Sequence, residues 1–501
     1  MSGKSRSRLL AAAALATLAA GCANLPRRAG EPAARPPQSP ATPWVAPAGQ
    51  ELPGAAGVPL GGSPGEAAAS LPPALAAALS GQGAVLTLPQ ALDLALRNSP
   101  RTRETWLAAR AAAAEVGSQA SQWWPDAGFT ADAERARASA VGGQFNFQQT
   151  SYSPALDLSW LLFDFGGRAA DVAEARALLV AANLTHNDAI QDVLLDVSTA
   201  YYGYVNARAL REAAAADVAG AEANLDAAER RHAAGLATVA DVLQARTALS
   251  ASRLELHRAE GDMQVIRGAL ATAMGLPAEL PVDAAPLDES LPVTAAAEGV
   301  DRAVARALAT RPDLLAARAR AAAAERRIAQ ERAEGLPNLS LRGAANRIYY
   351  DAPARDPGDN YSAQVLLRVP LFSGFEHRYD VERAREEAAQ AGAQAETIAN
   401  QVRLQVWTAY YDLQTAALRF GTAQDLLASA EESARVAAGR YRAGVGSILD
   451  LLAAQSALAD ARAQRILARA DWLLSLARLA HDTGDLQPAA ATATTDETEP
   501  P

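Results

Sequence analysis

Residues 167–231, GRAADVAEARALLVAANLTHNDAIQDVLLDVSTAYYGYVNARALREAAAADVAGAEANLDAAERR, decide the fold, because almost nothing in them can end a helix. They contain no proline, and only Gly203 and Gly220 weaken the helical pattern inside the stretch. At about 1.5 Å per residue, this helix would be a rod of roughly 100 Å, longer than the core of a compact domain. A second stretch of the same kind covers residues 376–440. The sequence therefore predicts two long rods rather than an ordinary globular fold.

The rest of the chain is arranged around these rods as two copies of one unit. Trp124-Pro125 recurs as Leu336-Pro337 at a shift of 212 residues, and a shift of 209 residues then holds. A register that stays constant in this way indicates internal duplication. The pairs at the second shift are Leu162-Phe163 with Leu371-Phe372, Ala200-Tyr201-Tyr202 with Ala409-Tyr410-Tyr411, and Gly235 with Gly444.

These patterns divide the chain into six parts. Repeat 1 is predicted at 85–275 and repeat 2 at 298–483, with a Pro- and Asp-containing connection at 276–297. The outer parts are an export signal at 1–21, a Pro-, Ala- and Gly-rich linker at 22–84 that can drape over the folded body, and a polar, disordered tail at 484–501.

Before each rod, apolar and polar residues alternate with a period of two, which is typical of strands. We predict one strand pair at about 126–163 and another at about 338–371. Four strands cannot close a membrane barrel, and an open sheet edge is not viable in lipid. If the strands cross a membrane, several chains must share one barrel. The residues predicted to face water are Thr130, Asp157, Ser159, Arg342, Gln364 and Arg368.

Aromatic residues flank both ends of these segments, as in the interfacial girdles of membrane barrels. On the side of the rods they are Trp123, Trp124, Phe163, Phe165 and Phe372, and towards the loops they are Phe145, Phe147, Tyr152, Tyr349, Tyr350 and Tyr361. The alternative is a pair of hairpins in a soluble domain, which leaves the rods and the export signal unexplained.

The N-terminus has the features of an export signal. Lys4, Arg6 and Arg8 precede an apolar run at 9–20, which is too short to span a bilayer, and Cys22 follows small residues. This order resembles a bacterial lipoprotein signal, in which Cys22 becomes the lipidated first residue. Ala23 then favours the outer membrane. A plain secretory signal with an incidental cysteine is the alternative.

Composition and charge exclude several function classes. The net charge of −10 argues against a nucleic-acid partner. One cysteine rules out a disulfide framework, and five scattered histidines do not have the spacing of metal ligands. The sequence also lacks a nucleophile–base set and a phosphate-binding glycine loop, so neither an enzyme nor a cofactor is predicted.

The first rod carries an apolar seam with steps of three and four residues, which is typical of a coiled coil. His186 interrupts it, and a hydrogen-bonded histidine at a helix contact is the interpretation that we favour over a functional one. The seam consists of Val172, Ala175, Leu179, Ala182, His186, Ala189 and Val193.

The order helix–strand–strand–rod–hairpin–helix, present twice, resembles the TolC family of bacterial outer-membrane efflux and secretion ducts, including its lipoprotein branch. The most specific motif is RYRAGVGSILDLL at 440–452, with a weaker first copy at 231–243. The resemblance implies a mainly α fold with a small β part. Its long duplicated hairpins would form an α-barrel of twelve helices across the periplasm, and four strands per chain would contribute to a shared 12-stranded β-barrel in a homotrimer.

The resemblance also implies partners, namely an inner-membrane pump and a periplasmic adaptor that meets the hairpin tips at about 232–240 and 442–449. The tip residues expected to touch the adaptor are Gly235, Leu236, Thr238, Gly444, Val445 and Ser447.

In that family, acidic residues just inside the second hairpin narrow the tunnel, helped by tyrosine and arginine contacts. Asp450 and Tyr441 match this pattern, and Asp241 is the counterpart of Asp450 in the first copy. Gly446 and Ala453 depart from it, so the whole network cannot be carried over. Carboxylates repeated around a symmetry axis attract cations, which predicts a periplasmic constriction at these acids. Solvated acids that cap helix starts are the alternative.

Three functions remain open. The first is a passive exit duct for drugs or other small solutes, and the second is the same duct serving type I protein secretion. The third is a lipid-anchored coiled-coil scaffold without a pore. The lipoprotein signal favours efflux.

Overall fold

The computed structural model describes residues 36–45, 84–140, 145–286, 298–351 and 356–486. Cys22, most of the predicted linker and the tail from residue 487 lie outside these ranges. The first repeat contains β1 (Ala84–Leu86), α1 (Leu88–Asn98), α2 (Pro100–Ser121), β2 (Asp126–Ala140), β3 (Phe145–Phe163), α3 (Gly167–Ala233) and α4 (Val239–Ala273). After it come β4 (Val282–Ala284), α5 (Val300–Thr310), α6 (Pro312–Glu334), β5 (Asn338–Tyr350), β6 (Gly358–Arg368), α7 (Glu376–Arg442) and α8 (Ile448–Asp482).

The two predicted rods are confirmed as α3 and α7, each an unbroken helix of 67 residues. The shorter helices lie along them: α2, α4, α6 and α8 all contact α3, while α5, α6 and α8 contact α7. Close approach is possible because most buried positions on the rods are alanine, valine or leucine. Within the described ranges, no helix is long and apolar enough to cross a membrane.

The two predicted strand pairs form one antiparallel sheet in the order β2-β3-β5-β6. Its register places Ser159 opposite both Asp126 and Arg342, and Arg342 opposite Gln364. Opposite residues share a face, so the polar residues of all four strands lie together. The other face carries Phe129, Leu156, Ala345 and Tyr361 in one row.

A short parallel sheet, β1 with β4, lies partly within residues 276–297, which the sequence predicts to be only a connection. Both strands have three residues, too few to show a period. The two strands pack in a core with Leu94, Tyr201 and Met274. The hydroxyl group of Tyr201 donates to the carbonyl oxygens of Leu86 at 3.1 Å and Ala285 at 3.2 Å. Tyr201 is therefore a packing residue that joins α3 to this sheet.

The described part of the linker, residues 36–45, packs on the helices. Trp44 is 5% exposed, and its ring lies against α3 and α6 beside Leu184 and Leu315. Its backbone N–H donates to Asn187 Oδ1 at 2.6 Å, and Asn187 Nδ2 donates back to its carbonyl oxygen at 2.7 Å. Trp106 Nε1 also donates to the Pro37 carbonyl oxygen at 2.7 Å.

His186 is hydrogen-bonded at a helix contact, as the favoured interpretation predicted. Its Nδ1 lies 2.9 Å from Thr105 Oγ1 on α2, and its Nε2 donates to the Thr42 carbonyl oxygen at 3.2 Å. Burial lowers the pKa of His186 to about 4, against the opposing effect of the Thr42 bond. The ring is therefore neutral at physiological pH and ties residues 36–45 to the rod.

A charged network joins the two repeats where α8 ends. His481 Nδ1 lies 2.9 Å from Asp482 Oδ1, and its Nε2 lies 3.1 Å from Asp192 Oδ1 on α3. Burial lowers the pKa of His481, but the bonds and charges of the two carboxylates outweigh it and raise the pKa to about 9. Asp192 also bonds Arg101 on α2. The imidazolium therefore persists at neutral pH and bridges repeat 2 to repeat 1.

Arg168 joins the sheet to the first rod. Its side chain is 3% exposed, and its backbone N–H and Nε both donate to Asp164 Oδ2, at 2.7 and 3.2 Å. Its Nη1 donates to the carbonyl oxygens of Leu161 at 2.7 Å and Gln122 at 3.2 Å. The guanidinium also lies 4.4 Å from the centre of the Trp123 ring. One side chain thus holds the end of β3, the turn after α2 and the start of α3.

Arg168→Ala is expected to lower the free energy of unfolding by about 3–5 kcal/mol, because Asp164 loses its cationic partner and keeps only the backbone N–H, and two carbonyl oxygens lose their donor. Arg168→Lys is expected to recover only part of this loss, because an ammonium group keeps the charge but cannot reproduce the planar set of guanidinium donors. Urea unfolding in detergent, followed by circular dichroism, measures both. The matched control is Arg176→Ala, an exposed residue of α3. An Arg168→Ala variant as stable as this control would contradict the assignment.

Candidate functional site

The two helical hairpins end in turns of the same construction. Gly235 has a φ of +71° and Gly444 a φ of +77°, a left-handed conformation that glycine adopts without steric cost. The next N–H in each turn bonds back across it, from Leu236 to the Arg231 carbonyl oxygen at 2.8 Å and from Val445 to that of Arg440 at 3.0 Å. This is a Schellman motif at each helix end, in the register of the duplication.

Asp241 and Asp450 each occupy the third position of the second helix of a hairpin. Asp241 Oδ2 accepts the backbone N–H of Thr238 at 2.7 Å, and its own N–H donates to Thr238 Oγ1 at 3.2 Å. Asp450 and Ser447 repeat this pair at 3.3 and 3.1 Å. These are capping boxes, so the structure gives both acids the local role that the sequence left open as the alternative. A second role at a constriction remains a prediction, and Asp450 is solvent-exposed.

Tyr441 lies between the two hairpins. It is 5% exposed and packs on Ile448 and Leu451 of α8. Arg231, from the end of α3, places its guanidinium 4.8 Å from the centre of the Tyr441 ring and donates from Nη1 to the Tyr441 carbonyl oxygen at 2.8 Å. Burial and the nearby charge of Asp241 raise the pKa of Tyr441, while Arg231 lowers it. The structure therefore brings Asp241, Arg231 and Tyr441 together, with Asp450 on the neighbouring turn of α8.

The Tyr441 hydroxyl group is buried and finds no hydrogen-bond partner within the described part of the chain. A buried hydroxyl without a partner costs free energy, so removing this hydroxyl is not expected to destabilise the chain.

Arg231 is a site residue that sequence reasoning missed. Two further polar contacts join α3 to α8, the second helix of the other hairpin: Asn224 Nδ2 donates to Gln455 Oε1, and Arg462 Nη1 donates to Asp217 Oδ1 at 3.0 Å. The residues on α3 are seven positions apart, at 217, 224 and 231, so they share one face. That spacing was readable in the sequence, but the partner helix was not.

The six predicted tip residues are all exposed. Leu236 and Val445 are 70% and 68% exposed, and Val239 and Leu449 beside them are 61% and 60% exposed. Each tip thus presents an apolar pair to solvent next to its glycine turn. Adjacent exposed apolar side chains are typical of an interaction surface.

The outer membrane efflux protein family matches residues 91–276 and 303–485, which together are well over half of the chain. The chain belongs to the outer membrane efflux protein family. Family members are outer-membrane channels rather than enzymes. The two matched segments each contain one strand pair and one hairpin of the duplicated structure.

Individual relatives agree with this membership. Protein CyaE of Bordetella pertussis is 32% identical over 392 residues, which cover 76% of this chain and 80% of that protein. Outer membrane efflux protein BepC of Brucella suis is 24% identical over 341 residues, covering 67% and 73% of the two chains. The crystal structure of the outer membrane protein VceC from Vibrio cholerae has a TM-score of 0.69 at 20% identity, covering 79% of this chain and 96% of that one. The fold is that of these channels, which combine an α-barrel with a β-barrel, and one chain contributes a four-stranded sheet and two helical hairpins.

Tyr441→Phe is expected to leave the free energy of unfolding unchanged or to raise it by up to about 1 kcal/mol, because it removes a hydroxyl that has no partner in the chain. Tyr441→Ala is expected to cost about 3–5 kcal/mol through the cavity and the lost Arg231 contact. Thermal unfolding of the purified protein compares both with Tyr379→Phe, which removes an exposed hydroxyl. A cost above about 1 kcal/mol for Tyr441→Phe would mean that the hydroxyl is bonded in the assembled protein.

Proposed function

We propose that the protein is the outer-membrane exit duct of a tripartite efflux system, which passively conducts drugs or other small solutes. The observation that carries this proposal is the junction of two structures in one chain: a sheet with one apolar face, and long helical hairpins continuous with it. Family membership and the efflux protein BepC support efflux over secretion. Passive conduction requires no energy-converting site in this chain, because a duct provides only a path for solutes across the outer membrane.

The duct is a homotrimer in this proposal. Strands β2 and β6 each have a single neighbour in the described sheet, so one edge of each strand lacks backbone partners. In lipid, the N–H and C=O groups of such an edge must be paired. Three chains with four strands each would pair them by closing the predicted 12-stranded barrel. Detergent-stable trimers are the corresponding observable.

The helical part then lies in the periplasm, and the hairpin tips meet a periplasmic adaptor and, through it, an inner-membrane pump. The exposed apolar pairs at both tips support this contact. Asp241 and Asp450 combine two roles here. They cap helices within one chain, and repetition around the trimer axis makes them a ring of carboxylates that attracts cations.

Single-channel recording in planar bilayers tests the duct. The purified trimer is expected to conduct and to prefer cations, and Asp241→Asn with Asp450→Asn is expected to lower that preference while asparagine keeps the caps. Asp93→Asn with Asp301→Asn, which removes two exposed acids on α1 and α5 far from the tips, is the charge-matched control. Selectivity unchanged in the double variant would reject the constriction, and a trimer without currents would reject the duct.

Adaptor capture tests the tips. A tagged copy is expected to co-purify one adaptor, and Leu236→Asp or Val445→Asp is expected to weaken capture by roughly 10–100-fold, since burying one such side chain is worth about 1.5–3 kcal/mol. Leu254→Asp, on the exposed shaft of α4, is the matched control. Equal capture by the tip variants and the control would place the adaptor elsewhere.

Lipid attachment at Cys22 is also proposed, supported by the small residues before it and by Ala23 after it. The protein is expected to carry acyl chains at Cys22 and to lose them in Cys22→Ser. Mass spectrometry of the mature chain measures this, and an unmodified Cys22 in the wild type would contradict the anchor.

A further inference from the structure

Charged residues on the apolar face of the sheet occur at one end only. Along β2, β3, β5 and β6, the positions that share a face with Leu156 and Leu158 are apolar or uncharged from the helix end through the middle of the sheet. At the end where β2 connects to β3 and β5 to β6, which we call the loop end, the same face carries Arg135, Arg137, Arg347 and Asp359.

The register gives the height of these side chains. Tyr152 lies opposite Ala133 and Tyr349, and Arg135 and Arg137 lie two and four residues further along β2. Leu162 to Tyr152 is ten residues, or roughly 33 Å along the strand. A strand tilt of about 40° reduces this to about 25 Å, the height of the apolar band of a membrane barrel. Arg135 and Arg137 therefore lie beyond the row of tyrosines, where this band ends. Arg347 lies two residues before Tyr349 on β5, just inside that row, and its guanidinium lies near the Tyr349 ring.

These guanidinium groups are accessible. Arg135 and Arg137 are exposed, and Arg347 is 50% exposed. With its amide oxygen turned towards β2, Gln148 accepts from Nε and Nη2 of Arg135, both at 2.7 Å. Arg347 Nε lies 3.4 Å from Asp359 Oδ1, and its guanidinium lies 5.5 Å from the centre of the Tyr349 ring.

The opposite face differs in sign at the same height. Asp132 and Glu134 alternate with Arg135 and Arg137 along β2, so they lie on the water-facing side. Three arginines against one aspartate thus give the lipid-facing side a positive belt, which a trimer would repeat three times. Guanidinium groups suit phosphate, because their planar fork bonds two oxygens at once.

We propose that Arg135, Arg137 and Arg347 bind the phosphate groups of the lipid A glycolipid in the outer leaflet. This rests on the proposed function, because the loop end must face outward. The belt then fixes the depth of the barrel: apolar rows lie in the acyl chains, the tyrosines at the interface, and Arg135 and Arg137 among the phosphates. Arg347 starts just inside the tyrosine row and extends its long side chain past Tyr349 to the same phosphates. The helix end of the same face carries no charged residue in its described rows, so the belt belongs to one leaflet.

Binding of bisphosphorylated lipid A to the purified trimer, measured by native mass spectrometry, tests this assignment. Arg135→Gln, Arg137→Gln and Arg347→Gln together are expected to weaken binding on the order of 100-fold, since each basic side chain at an anionic lipid surface is worth about 1 kcal/mol, or about fivefold. The matched control is Arg246→Gln, Arg253→Gln and Arg258→Gln, three exposed arginines of α4 that are expected to leave binding unchanged.

Two further probes identify the ligand group. Lipid A stripped of its phosphates is expected to bind as weakly as the triple variant does to intact lipid A. Equal binding of stripped and intact lipid A would overturn the proposal, and so would inorganic phosphate that binds as tightly as lipid A. Single-channel currents from the same preparations distinguish a failure of the proposed lipid A site from a failure of the proposed duct. Currents with unchanged lipid A binding in the triple variant refute the belt alone, whereas absent wild-type currents refute the duct.

Discussion

The rest of the structure depends on a four-stranded sheet whose two edge strands lack a second neighbour in the described chain. β2 and β6 each pair on one side only in the described chain, and the sheet has an apolar face that water would not favour. In a membrane, both defects disappear when copies of the chain close a cylinder. The sheet also sets the position of the first rod, because Arg168 at the start of α3 binds the carbonyl oxygens of Leu161 and Gln122. These hydrogen bonds fix the direction in which α3 leaves the sheet.

Duplication gives both halves of the chain the same elements, and the contacts that are present in only one copy distinguish the two halves. The two hairpin turns share the Schellman motif and the capping box, with Thr238 in one copy and Ser447 in the other. The contact between them is not duplicated: Arg231 of the first hairpin binds Tyr441 of the second. At the other end, Arg168 in the first copy has His377 as its counterpart, which lies against Gly335. Asymmetry between the copies lets one chain form two different sides of a subunit.

The hairpin acids show how a sequence pattern can serve two purposes. Asp450 matched a family pattern for a constriction, Asp241 is its counterpart in the first copy, and the structure shows each of them closing a capping box. The two roles are compatible, because a capping carboxylate uses one oxygen locally and keeps its charge at the helix start, where the helix dipole favours it. Residue type and spacing were visible in the sequence, whereas the neighbouring Arg231–Tyr441 contact depends on how the ends of α3 and α7 meet in space.

Periodicity and duplication were sufficient for the long elements. The 67-residue helices, both strand pairs and the hairpin turns follow from local rules: the absence of helix breakers, alternation with a period of two, and glycine at a left-handed turn position. Only tertiary structure decided the rest. The β1–β4 pair is too short to show a period, and the contacts of Arg168, Trp44 and His481 join residues far apart in the chain. Such contacts depend on how the elements meet in space, which no local pattern encodes.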